Sequence, residues 1–144
     1  MYKKILVPLD GSALAEAVLP HAQALARSEG AEIILLSVPI VPNLEFLARS
    51  PGLANQVIEA SEHETEEYLL MEEAKLTKEG MKVTHIMREG SIPEMILKVA
   101  DEVHADVITM STHGRTGVQR FLMGSVADRV VHYSHIPVML IHPN

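Results

Sequence analysis

The chain has no cysteine and no tryptophan, and aromatic residues make up only 3% of its 144 positions. Without thiols there are no disulfides, no thiol nucleophile and no zinc–thiolate site. With so few aromatic rings, any core has to be aliphatic. No stretch approaches the roughly 18 consecutive apolar residues of a membrane span. A basic excess is missing too: 12 Lys and Arg stand against 19 Asp and Glu, a formal net charge of -7. That balance argues against a nucleic-acid surface, which needs a basic face, and against adhesion to anionic membranes. It does not exclude an anionic small ligand, because backbone dipoles act locally. The first ten residues carry a Lys pair, a short apolar run and an early Asp10, which is no secretory leader. These absences together lead us to expect a soluble, cytoplasmic protein with one domain over residues 1–144.

What is present is alternation. Five short apolar runs read as strands: Ile5 to Leu9, Ile33 to Val38, Val83 to Met87, Val107 to Met110 and Val138 to Ile141. The first, second and fourth are almost continuously apolar, as strands covered on both faces are. The third alternates more, which suits a place near an edge. Between the runs lie segments of helical period. One spans Ala13 to Ser28 behind Ser12 as N-cap, ends before Gly30, and carries Pro20 as a predicted kink. A long acidic one spans Ala54 to Glu79, with Val57, Tyr68, Met71 and Leu76 as part of its inward stripe. Its Glu62, Glu64, Glu66, Glu67, Glu72 and Glu73 read as a solvated face. Ser91 and Glu94 have the spacing of a capping box, with Pro93 in the first turn. Ile92, Met95, Ile96, Val99 and Val103 form the apolar face of that helix. A last helix is expected from about Gly124 to Tyr133, and Pro39 to Gly52 reads as one long irregular connection. The order β-α-β-α-β-α-β-α-β implies an open α/β sandwich.

In open α/β sheets a ligand sits beyond the carboxyl ends of the strands, where strand order reverses. Two segments have that placement: Pro8-Leu-Asp-Gly-Ser12 after the first strand, and Ser111-Thr-His-Gly-Arg-Thr-Gly-Val-Gln-Arg-Phe-Leu-Met-Gly-Ser125 after the fourth. In the second, Gly114 and Gly117 let backbone N–H groups approach an anion. Gly124-Ser125 opens the last helix, whose unpaired N–H groups favour a phosphate. Asp10 is itself an anion, so its roles are a ribose hydroxyl, an adenine amino group or a metal shared with phosphates. Taken alone, the glycines also fit a structural loop, and Asp10 to Ser12 also fits a turn with a helix cap.

The same residues carry a resemblance. The initial Ile-Leu-Val-Pro-Leu-Asp-Gly-Ser, the strand Ile33 to Val38 and the long loop make the chain similar to the universal stress protein family over essentially its full length. The ATP-binding branch of that family is marked by Gly, two residues, Gly, nine residues, then Gly-Ser or Gly-Thr. Here Gly114 and Gly124-Ser125 match, and Ser111 replaces the first glycine. The resemblance implies a five-stranded parallel sheet of order 3-2-1-4-5 with helices on both faces. It places Pro8 and Asp10 against the adenosine and Val38 against the adenine, with Leu9 also among the binding residues. Met110, Ser111, Gly114, Gly124, Ser125 and Val126 would line the ribose and phosphates, with His113 and Arg115 beside the phosphates. It further implies ATP or another adenine nucleotide with Mg or Mn, and a homodimer through Ile136 to Ile141. The implied role is a non-enzymatic regulator in the stress response, with no catalytic residue and no metal site built from side chains alone. A slow ATPase using His113 as base, and a nucleotide-free dimeric module, stand as alternatives. If position 111 required a positive φ, serine there would cost about 1–2 kcal/mol; otherwise its hydroxyl is free to donate to the ligand.

Overall fold

A computed structural model describes residues 1–40, 44–112 and 124–143. The first strand, β1 (Lys4–Pro8), is followed by two helices, α1 (Ala13–Glu16) and α2 (Leu19–Glu29), then by β2 (Glu32–Ser37). Next come α3 (Leu44–Arg49), α4 (Pro51–Lys78), β3 (Lys82–Met87), α5 (Ile92–Glu102) and β4 (Val107–Ser111). The chain closes with α6 (Ser125–Tyr133) and β5 (Val138–Ile141). All neighbouring strands pair in parallel, in the order β3-β2-β1-β4-β5. The more alternating third strand does lie at an edge.

Strand alternation divides the interior into two cores. Ile5, Val7, Ile33, Leu35 and Val107 point to one face, where Ala15 of α1, Val18 just before α2, Ala22 of α2, and Leu69 and Leu76 of α4 meet them. Leu6, Ile34, Leu36, Ile108 and Met110 point to the other, against Ile96 and Val99 of α5 and Ala127 and Val130 of α6. Each fully buried Leu, Ile or Val contributes about 1.5–3 kcal/mol of transfer free energy. The central strands are buried throughout because both faces are covered.

Several local expectations are corrected. The segment from Ala13 to Ser28 is two helices, broken at Ala17 and Val18, with Pro20 in the first turn of α2. Proline has no N–H to give the carbonyl four residues back, so a break there removes the conflict. The connection from Pro39 to Gly52 is not irregular throughout: it contains α3, and α4 already starts at Pro51. Proline suits that first position, where the N–H would have no partner. On α4, Met71 is 72% exposed, while Leu69 and Leu76 are fully buried. At 100° per residue Leu69 and Leu76 share a line while Met71 lies across the helix. Ser91 makes no side-chain cap; its hydroxyl donates to the Glu94 carboxylate, which also accepts from Arg129 at 2.6 Å. The acidic face of α4 is only partly solvated, since Glu66 and Glu73 both bond His85 on β3 and one Glu72 oxygen is buried.

Candidate functional site

The chain runs β1, β2, β3 toward one side of the sheet and returns to place β4 and β5 on the other. The reversal lies between β1 and β4. There the register pairs are Ile5 with Val107 and Leu6 with Ile108, whereas β1 and β2 stay paired over five positions. Beyond β1, the Leu9 N–H donates to the Leu36 carbonyl at 2.8 Å, following β2. The carboxyl ends of β1 and β4 thus open a crevice, as expected where strand order reverses.

The β1 wall is a built turn. Asp10 Oδ1 accepts from the Ser12 N–H at 2.9 Å and from the Ser12 hydroxyl at 2.6 Å. The Ser12 Oγ accepts in turn from the Ala15 N–H at 3.1 Å and caps α1. Between them Gly11 adopts φ +87°, a left-handed conformation that glycine takes without Cβ strain. Pro8 ends β1 half-buried, while Leu9 and, just past β2, Val38 are buried beside it.

The β4 wall is joined to α6. The Thr112 N–H donates to the Ile141 carbonyl at 2.9 Å, and the Gly124 N–H donates to the Thr112 carbonyl at 2.6 Å. That second bond seats the start of α6 directly at the end of β4. Gly124 is the N-cap and, having no side chain, supplies no side-chain acceptor to the N–H groups of the first turn, from Ser125 onward. Met110 and Ser111 are buried, Gly124 and Val126 half-buried and Ser125 exposed.

Ser111 resolves one question raised by its sequence position. It lies in β4, and among the described non-glycine residues a positive φ is found at His104, not at Ser111. Backbone strain therefore does not explain the position. Its Oγ is instead buried without a hydrogen-bond partner, at 6% residue exposure, and so is the Oγ1 of Thr109. Residues two apart on a strand share a face, so these two hydroxyls lie on the α1 side of β4. An unsatisfied buried hydroxyl costs about 1–3 kcal/mol, which a ligand or bound water at that point would relieve.

The sequence-derived residues Pro8, Leu9, Asp10, Val38, Met110, Ser111, Gly124, Ser125 and Val126 come together at the ends of β1, β2 and β4. His113, Gly114 and Arg115 lie outside the described residues. Asp10 to Ser12 forms the turn and helix cap that its sequence also fits. The buried Thr109 hydroxyl was not foreseen, and Tyr68, expected only in the inward stripe of the long helix, donates to Glu16 of α1, a partner for which it carries no local signal. A separate groove of about 380 Å³ between α5 and α6, lined by Leu97, Ala100, Arg129, Tyr133 and Ile136 among others, shares no residue with the crevice. Among the described residues no three His, Asp or Glu side chains are grouped to hold a metal ion, and no helix is long and apolar enough to cross a membrane.

Comparison with known proteins matches this arrangement. The universal stress protein MJ0577 of Methanocaldococcus jannaschii is 36% identical, with 98% of this chain and 95% of that protein covered. A solved structure of MJ0577 superposes with a TM-score of 0.87 at 31% identity, covering 100% of this chain and 98% of that one. A universal stress protein of Methanothermobacter thermautotrophicus is 35% identical over 98% of this chain and 96% of its own length. The universal stress protein of Archaeoglobus fulgidus solved in complex with dAMP has a TM-score of 0.66 at 25% identity, covering 97% of this chain and 98% of that one. The model of the Universal stress protein family matches residues 1–142, and with the fold in agreement, the chain belongs to that family.

Proposed function

We propose that this protein is a cytoplasmic, non-enzymatic regulator of the stress response that binds ATP, or another adenine nucleotide, in the crevice between β1 and β4. The observation that carries the reading is the buried, unpartnered Ser111 hydroxyl at the carboxyl end of β4, the strand end at which α6 begins without a side-chain cap from Gly124. A hydroxyl donor and the N–H groups of a helix start are what an anionic ligand uses. The helix dipole contributes only about 0.3–2 kcal/mol, so affinity depends on several such donors acting together. The dAMP complex of the Archaeoglobus fulgidus relative supports an adenine nucleotide as the class of ligand.

In this reading Pro8, Leu9 and Asp10 meet the adenosine and Val38 the base. Met110, Ser111, Gly124, Ser125 and Val126 line the ribose and phosphates, together with His113, Gly114 and Arg115. The described residues provide no side-chain cage for a cation. Mg or Mn would be held chiefly by phosphate oxygens and water, with Asp10 the carboxylate of the β1 wall. Magnesium is ordinarily bound in that way. A homodimer through Ile136 to Ile141 belongs to the same reading. β5 ends the sheet, and an apolar edge strand invites pairing with a second copy.

The experiment is chromatography of small molecules released by denaturing the purified protein, with titration of ATP, ADP and AMP. Ser125→Asp supplies the control: a carboxylate at the first turn suits the helix dipole but occupies the phosphate position. Its affinity for ATP is expected to fall more than about tenfold with folding intact. Absence of any binding by the wild-type protein at millimolar nucleotide would overturn the reading.

A further inference from the structure

α1 is one helical turn of four residues, and a single turn is not self-supporting because helix nucleation is unfavourable. Its position is set by what it touches. At its start stands the Asp10–Ser12 turn, at its centre Ala15 enters the core, and at its end stands Glu16. The Tyr68 hydroxyl of α4 donates to Glu16 Oε2 at 2.5 Å, bridging 52 positions of sequence. A hydrogen bond to an ionised acceptor is stronger than a neutral one.

The two ends of this tie are not equally placed. α4 is anchored on its own account: Leu69 and Leu76 are buried in the core, and Glu66 and Glu73 bond His85 on β3. Tyr68 therefore projects from a fixed helix, and α1 is the partner that would move. Burial first, and then Glu16, push the Tyr68 phenol far above its ordinary pKa, so it remains a donor at physiological pH. The charges of Glu72 and Asp10 act in the same direction, which places the Asp10 carboxylate within electrostatic reach of the phenol. Glu72 repels Glu16: its own carboxyl is raised by burial and then by the Glu16 charge. Without the Tyr68 donor, the Glu16 carboxylate would face that repulsion with no other side-chain hydrogen bond among the described residues.

We infer that Tyr68 is a positioning residue for the crevice: acting through Glu16, it holds α1 and thereby the Asp10–Ser12 turn that forms the β1 wall. The inference rests on the nucleotide-binding reading for its consequence, but not for the tie itself.

The test uses the full chain and two readouts. In the ligand-free protein, amide exchange at Ala15 and Glu16 is expected to be faster in Tyr68→Phe and in Glu16→Ala, and close to wild type in Glu16→Gln, which keeps an acceptor oxygen. With Mg–ATP as probe, Tyr68→Phe and Glu16→Ala should each weaken binding roughly fivefold, the factor matching about 1 kcal/mol for one hydrogen bond. The double variant should lose no more than either alone, because both remove the same bond. Thermal unfolding confirms that each variant is folded, and Tyr68→Phe retains the ring that packs. Unchanged exchange in Tyr68→Phe overturns the inference, as does additive loss of affinity in the double variant. If the wild-type protein binds no nucleotide, the proposed function fails while exchange at α1 still decides whether Tyr68 positions the turn.

Discussion

His85 of β3 is held between two carboxylates of α4, with its Nε2 2.6 Å from Glu66 and its Nδ1 bonded to Glu73. Both ring nitrogens can donate at once only in the imidazolium form. The neighbouring β2 residue in register is the buried Leu35, and the charges that act on the ring, those of Glu66 and Glu73, come from α4. Burial by itself would lower the His85 pKa, but the hydrogen bonds and charges of Glu66 and Glu73 outweigh it and raise it.

A pH dependence follows from that sign. A group whose folded pKa is raised contributes fully below its unfolded pKa of about 6.5 and loses the contribution as pH rises through the folded value. Wild type should therefore lose stability relative to His85→Gln as pH is raised from about 6 toward 9. With both carboxylates partly exposed, the difference is on the order of 1 kcal/mol. Urea unfolding of both proteins across that range measures it. A constant difference between the two proteins would refute the charged clamp.

Two left-handed helix ends predict opposite responses. Gly30 follows α2 at φ +65°, and no atom lies within 4 Å of a Cβ built there. Gly30→Ala should cost about 1 kcal/mol from backbone strain alone, with no packing change. His104 adopts φ +55° after α5. His104→Gly relieves a similar strain but adds unfolded-state entropy, so a gain of only about 0.5 kcal/mol is expected. Thermal unfolding of the pair tests both, and a destabilised His104→Gly would contradict the strain at that site.

The strands were legible because each depends on its own residues. Ile33 to Val38 and Val107 to Met110 are apolar on both faces, and that pattern already requires helices above and below. The alternation of Val83 to Met87 likewise marked the edge. The crevice was legible for a related reason: Asp10 follows β1, Ser111 ends β4 and Gly124 is bonded to Thr112 just past it, at carboxyl ends that a parallel sheet brings together. What escaped were contacts between distant elements. Nothing near Glu66 announces His85, 19 residues away, and nothing near Tyr68 announces Glu16. The proline-rich Pro39 to Gly52 also concealed helices, because proline at a first turn and proline in a loop look alike in sequence.

Two apolar residues two positions apart on α4 separate burial from composition. Leu69 is fully buried whereas Met71 is 72% exposed. Leu69→Ala should cost about 2–5 kcal/mol by transfer and cavity terms, while Met71→Ala should stay within about 0.5 kcal/mol. Equal losses in urea unfolding would mean that α4 is rotated from the orientation described.

Ser111 is where stability and binding should part. Ser111→Ala removes a buried hydroxyl that has no partner in the ligand-free protein, so the unliganded form should be unchanged or more stable by up to about 1 kcal/mol. If that hydroxyl donates to a nucleotide oxygen, the same substitution should weaken ATP binding about fivefold. Ser111→Gly sharpens the comparison. Position 111 is an extended strand residue without positive φ, so glycine relieves no strain there and instead adds backbone freedom. It should therefore bind ATP no better than Ser111→Ala, despite restoring the glycine of the family motif. Calorimetric titration of the three proteins, with thermal unfolding of each without ligand, separates the two effects. Tighter binding by Ser111→Gly than by wild type would show that the serine obstructs the nucleotide instead of serving it.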